Sequence, residues 1–149
     1  MKLVQLTDID TLMCWLREVI REVFGVDSDE TLDAASRNYY IRNVGSGGHF
    51  AIVAKVGEQD AGCGALCFQS ELPSPDNPSG LCAYLMNIYV REPFRGRGVG
   101  RAVVARLLEE ARRRGCAKIS LETTASGRQL YEHSGFVPAN DMMIYDKNN

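Results

Sequence analysis

The sequence predicts an α/β fold: a mixed, mostly antiparallel central sheet of about six to seven strands, flanked by helices on both faces. Two observations predict it. Apolar strand-like runs are dense up to Val90. From Ala83 onward the order is strand, helix, strand, short helix and strand, which places helices against a sheet. The chain of 149 residues carries no repeat, low-complexity tract or linker, so residues 1–149 read as one domain.

Each element has a local reason. Lys2 to Leu6 alternates as a short first strand. Thr7-x-x-Asp10 has the form of a capping box, and Leu12, Leu16, Val19, Ile20 and Val23 recur at helical spacing up to the stop at Gly25. The acidic start Asp27-Ser28-Asp29-Glu30 opens a second helix to about Val44, and Gly45-Ser46-Gly47-Gly48 breaks the chain. Strands follow over Phe50–Val56 and Ala61–Gln69, joined by Gly57-Glu58-Gln59-Asp60. A proline-rich loop covers Leu72–Gly80. Ala83–Val90 is nearly all apolar, which suits a central strand. A long helix runs from Ala102 to Arg114, closed by Gly115 and by three arginines suited to the negative helix end. Lys118–Glu122 reads as a strand, Ser126–His133 as a short helix closed by Gly135, and Met142–Tyr145 as a last strand.

Bulk properties narrow the function. Apolar residues are 45% and charged residues 24%, with a net charge of −2. That balance gives no electrostatic case for nucleic acid or membrane binding. No run approaches the roughly 20 apolar residues of a membrane helix. The N-terminus turns acidic too early for a signal peptide, so a cytoplasmic location is expected. The five cysteines are odd in number and scattered through apolar segments. Small buried thiols are expected rather than disulfides, and no metal site.

The most informative stretch is Arg95-Gly96-Arg97-Gly98-Val99-Gly100-Arg101, between a strand and a helix start. Helix N-termini leave backbone N–H groups unpaired at the positive end of the dipole. Glycines let an anion approach that backbone. The unit therefore reads as a cradle for a phosphorylated cofactor. A P-loop needs Gly-Lys, which occurs nowhere in the chain. A dinucleotide fingerprint needs a third glycine, but Arg101 or Val103 stands there.

The pattern Arg95-x-x-Gly98-x-Gly100, with Val90 five residues ahead, resembles the acetyl-CoA motif of the GNAT superfamily of N-acetyltransferases. Leu130-Tyr131-Glu132-His133-Ser134-Gly135-Phe136 is similar to that family's Leu-Tyr-x-x-x-Gly-Phe segment. The resemblance implies acetyl-CoA as cosubstrate and transfer of its acetyl group to a primary amine, by direct attack in a ternary complex. It implies pyrophosphate contacts along Arg95, Gly96, Arg97, Gly98, Val99, Gly100 and Arg101. It puts the pantetheine arm beside Ile88, Tyr89 and Val90, where the family's strand splays from the next. It gives Tyr131 the proton for the departing thiolate.

The sequence departs from the family pattern at Thr124 and Gly127, where many members carry Asn and Ala. Both stay candidate cofactor contacts, as does Arg128. Two carboxylates are candidate bases for the amine: Glu122 at a strand end and Glu71 at the start of the proline-rich loop. His49 and His133 are weaker ones. Asn87, polar in an apolar strand, either lines the acceptor cleft or completes a buried hydrogen bond. Trp15, Tyr39, Tyr40, Glu71, Asp76, Asp27, Asp29 and Glu30 would give an acidic and aromatic acceptor lining suited to a small-molecule or peptide amine. Homodimers are common in the family. Two alternatives stay open: a non-catalytic acyl-CoA-binding or sensing domain, and an acyltransferase using another acyl-CoA.

Overall fold

The computed structural model describes residues 1–148. Its order is β1 (Lys2–Leu6), α1 (Ile9–Val19), α2 (Glu30–Val44), β2 (His49–Val56), β3 (Gln59–Ser70), β4 (Leu81–Val90), α3 (Val99–Arg113), β5 (Lys118–Leu121) and α4 (Arg128–His133). The five strands form one sheet in sequence order. β1 to β4 are antiparallel neighbours, and only β5 runs parallel to β4. Loops join β2 to β3 and β3 to β4 as antiparallel neighbours, α1 and α2 lie between β1 and β2, and the crossover through α3 sets the parallel pair.

Small corrections concern ends. Asp8, not Thr7, caps α1, accepting from the Thr11 N–H at 2.9 Å. The first helical run is not uniform: α1 passes into a π-helical turn over Ile20–Phe24 before left-handed Gly25. Asp29 caps α2 by accepting from Leu32 N–H. The turn between β2 and β3 is tighter than expected, since Val56 pairs directly with Gln59.

One strand is a larger correction. Met142–Tyr145 has no strand partner, and the sheet has five strands rather than six or seven. A strand needs a paired edge and a buried face. This segment has neither, and Met143 is 96% exposed.

Two cores hold the layers. On one face α3 buries Val99, Val103, Val104, Leu107 and Ala111 against Ile52, Leu66, Ala83 and Leu85. Full burial of an aliphatic side chain contributes about 2 kcal/mol. Gly64 of β3 permits this approach, because a Cβ there would stand 2.5 Å from Val103 Cγ1. α4 adds Leu130 and Tyr131 to the edge of the same core. On the other face α1 and α2 pack Leu12, Met13 and Tyr40 over Ala51, Ala65 and Met86. Arg91 ties α1 to the end of β4: it grips Glu18 at 2.9 and 2.8 Å and lies over the Trp15 ring at 4.4 Å.

Candidate active site

β4 changes character halfway along. From Cys82 to Leu85 it is paired with both β3 and β5. The β5 ladder stops at the Leu85–Leu121 pair, while the β3 ladder continues to Val90. The β5-facing backbone of residues 86–90 is therefore left without a strand partner. A bulge marks the change: Met86 faces Ala65 and Tyr89 faces Cys63, so three steps on β4 match two on β3. Asn87 sits in the bulge with φ 54°, the only non-glycine residue at positive φ among the described residues. Asn tolerates that left-handed conformation far better than a β-branched residue would. The bulge also turns the strand over. Leu85 faces α3 before it, and Ile88 and Val90 face α3 after it.

The structure adds a backbone role for Asn87 that the sequence did not suggest. The residue acts through its backbone conformation, and its carbonyl accepts from the Cys63 thiol at 3.3 Å.

The glycine turn opens onto the same end of β4. Gly96 and Gly98 have φ 74° and 80°, and a Cβ added at either would meet nothing within 4 Å. Gly98 is the N-cap of the 15-residue α3 and offers no side-chain cap. The first turn of α3 thus presents free N–H groups to open space, as a pyrophosphate requires. The cradle residues fit a CoA-type cofactor on this ground.

The arginines divide. Arg95 folds back, donating from Nε to the Val90 carbonyl at 2.9 Å, and so braces the turn against β4. Arg97 leans over the Phe94 ring at 5.6 Å. Arg101 is exposed on the first turn of α3.

Tyr131 stands on α4 beside the cradle. Gly100 lets α4 come this close, since a Cβ there would lie 3.2 Å from Leu130 Cδ2. Gly127 leaves room for the tyrosine ring, since its missing Cβ would lie 3.2 Å from Tyr131 Cε2. The ring packs edge-on against Phe136 at 6.1 Å between centroids. Burial, and secondarily Tyr84, raise the phenol above its ordinary value. It is therefore protonated at neutral pH and can donate.

The remaining predicted residues scatter. Thr124 serves the turn before α4, accepting from Gly127 N–H at 3.3 Å and bonding Ser126 Oγ at 3.0 Å. Arg128 is exposed and pairs loosely with Glu132 at 3.9 Å. Glu122 follows the last residue of β5, where the strands part. Glu71 does not join the site. It lies beyond the Ser70–Leu81 pair, at the opposite end of β4 from Val90. Nine residue steps of strand separate Leu81 from Val90, about 30 Å. There Lys118 holds Glu71 at 3.0 Å and Asn77 donates to it at 3.2 Å. These contacts hold its carboxyl below the usual range, the opposite of what a base at neutral pH needs.

Most of the expected acceptor lining also has other work. Trp15 and Tyr40 are core, and Asp29 is a helix cap. Asp76 belongs to the loop at the Glu71 end. His49 is buried between Tyr39 and Tyr40, its Nδ1 2.9 Å from the Tyr39 hydroxyl. Burial lowers its pKa to about 4, so it is neutral at pH 7. His133 is exposed at the end of α4. Among the described residues no group of three or more metal-ligating side chains converges, and no helix is long and apolar enough to cross a membrane.

Sequence reading missed Tyr84. It faces Ser120 across β4 and β5, one diagonal from Glu122, and burial and then Glu122 raise its phenol above the ordinary value. A polar aromatic in an otherwise apolar strand was the available signal.

The chain is similar to known proteins in fold and in sequence. The fold matches a predicted acetyltransferase with acetyl-CoA from Clostridium acetobutylicum at a TM-score of 0.86 and 21% identity, over 97% of this chain and 95% of that one. It matches a GCN5-related N-acetyltransferase from Ralstonia eutropha JMP134 at 0.78 and 28% identity, over 97% of each chain. In sequence it is 39% identical over 64 residues to glucosamine 6-phosphate N-acetyltransferase 1 of Oryza sativa subsp. japonica, covering 43% of this chain and 39% of that protein. It is 40% identical over 83 residues to mycothiol acetyltransferase of Beutenbergia cavernae, covering 53% of this chain and 27% of that protein. These matches span less than half the length of either relative. The model of the acetyltransferase (GNAT) family, whose enzymes use acetyl-CoA as cosubstrate, matches residues 11–136, and the chain belongs to that family.

Proposed function

We propose that this chain moves the acetyl group of acetyl-CoA to a primary amine by direct attack in a ternary complex. The observation that carries the reading is the coincidence of three features at one end of β4. They are the stretch 86–90 that has no β5 partner, the open glycine cradle and the protonated Tyr131.

Acetyl-CoA supplies the activated acyl group as a thioester. The N–H groups of the first turn of α3, with Gly96 and Gly98 leaving the approach open, hold its pyrophosphate. Arg97 and Arg101 add positive charge at the mouth, and Arg95 keeps the turn in shape. Backbone N–H groups along Ile88–Val90 polarise the acyl carbonyl as charge develops on its oxygen. Tyr131 gives its hydroxyl proton to the departing thiolate.

Glu122 accepts the proton that an alkylammonium acceptor must lose. It stands where β4 and β5 part, on the face opposite α3, whereas Tyr131 approaches from the α3 side. Acid and base then work from opposite faces of one gap. The acceptor is a small-molecule or peptide amine.

The test is thiol release from acetyl-CoA with a panel of amines: spermidine, lysine, glucosamine, glucosamine 6-phosphate, an aminoglycoside and a peptide with a free N-terminus. At least one acceptor should be turned over. Glu122→Gln should slow that acceptor about 100-fold while leaving acetyl-CoA affinity unchanged. Turnover of none of these amines, or full activity in Glu122→Gln, would count against the assignment.

A further inference from the structure

Tyr84 has no part in the roles above, yet its position ties them together. It occupies the third of the four rungs between β4 and β5, opposite Ser120. Ala83, Leu85, Ile119 and Leu121 face α3. Side chains alternate along a strand, so Tyr84 and Ser120 project from the other face. Glu122, two residues past Ser120, is the diagonal neighbour of Tyr84, a separation that long side chains span. That diagonal puts the Tyr84 hydroxyl within reach of the Glu122 carboxylate.

The surroundings leave Glu122 as the charged partner of that hydroxyl. Cys67 of β3 faces Tyr84 in register. Tyr39 of α2 and His49 of β2 lie behind Cys67, and His49 is neutral. Burial first and then Glu122 raise the Tyr84 phenol above its ordinary value, so it donates at neutral pH.

We propose that Tyr84 is a positioning residue that holds the Glu122 carboxylate at the mouth of the β4–β5 gap, aimed at the acceptor amine. A free glutamate past a strand end samples many rotamers. A hydrogen bond from a half-buried phenol selects the one that faces the gap. This inference rests on the reading of Glu122 as the base.

Tyr84→Phe keeps the ring and removes the hydroxyl. With the panel amine that the wild type turns over fastest, kcat should fall about tenfold and KM for acetyl-CoA should stay within about twofold. In a Glu122→Gln background the same substitution should cost nothing further, because the group it positions is gone.

A second readout needs no acceptor. In a spectrophotometric titration of the tyrosines, Glu122→Gln should bring one phenol to a lower pH than in the wild type. That difference should vanish once Tyr84 is Phe. Unchanged kcat in Tyr84→Phe, additive losses in the double variant, or identical titrations of wild type and Glu122→Gln would each overturn the proposal. A wild type that turns over no amine fails the functional reading itself, and the inference with it. An active wild type beside an equally active Tyr84→Phe fails the inference alone.

Discussion

The two halves of β4 lie in one strand and differ in almost everything else. Cys82–Leu85 is hydrogen-bonded on both sides, and the chain around it is locked. There Lys118 and Asn77 both donate to Glu71. Nearby, Glu110 of α3 is buried among Arg106, Arg113 and Arg114, and Arg114 also donates to the Gly47 carbonyl at 2.6 Å. Residues 86–90 keep only the β3 ladder, carry the bulge and look onto a helix N-terminus with no side-chain cap. At the closed end side chains pair with one another, Glu71 with both Lys118 and Asn77. At the open end the backbone groups are left for something else. The difference shows how a sheet makes a site: pairing is stopped on one edge while the other edge keeps the strand in place.

The predictions probe that difference, and the largest effect belongs to the open end. Tyr131→Phe should lower kcat about 100-fold, with acetyl-CoA affinity within about twofold of wild type. Steady-state rates and calorimetry on the same preparations check both parts. Equal losses in rate and affinity would instead make Tyr131 a packing residue.

Next comes Glu110 at the closed end. The Arg113 hydrogen bond leads the causes that hold its carboxyl at about 2, against an ordinary value of 4.5. A depressed carboxyl stabilises the fold above its unfolded-state pKa, and that contribution is lost as pH falls towards 2. Glu110→Gln should cost about 2 kcal/mol at neutral pH, because charge-assisted bonds are lost. Between pH 4.5 and 2 the wild type should lose stability more steeply than the variant. Denaturant unfolding at several pH values measures it, and turnover per folded molecule should not change.

Asn87 separates the two halves and should respond in between. Asn87→Val forces a β-branched residue into φ 54° and should cost about 1–2 kcal/mol. It should reduce turnover as well, because the bulge aims the strand end. Asn87→Gly should keep the turnover. Equal activity in the two variants would separate the bulge from function. The smallest effect is expected at Glu71: Glu71→Gln should leave kcat unchanged and barely move the denaturant midpoint, as for an exposed ion pair.

Much of the fold was legible because its signals are local. Periodicity located α1, start and stop residues located the other helices, and turn residues bounded β2 to β4. The cradle was legible too, since strand, glycines and helix start are contiguous in the chain. What escaped depends on distant pairing. Glu71 is a candidate base only until the Ser70–Leu81 register puts it at the wrong end of β4. Trp15 and Tyr40 suit a cleft in sequence, but buried packing places them in the core. Met142–Tyr145 has strand-like composition, yet composition does not supply a paired edge. Asn87 and Tyr84 were visible as polar residues in an apolar strand. Their roles follow from a bulge and from a diagonal across two strands, which no single stretch of sequence encodes.

The claim at the centre of this account is that the open end of β4 and its cradle hold acetyl-CoA. Calorimetric titration of acetyl-CoA into the wild type and Gly98→Asp tests it most directly. Gly98 has φ 80° and open space where a Cβ would stand. An aspartate would put bulk and negative charge where the pyrophosphate is held. The account predicts saturable binding by the wild type and at least about a 100-fold loss in the folded variant. Equal affinity in the two proteins, or no binding by the wild type, would contradict it.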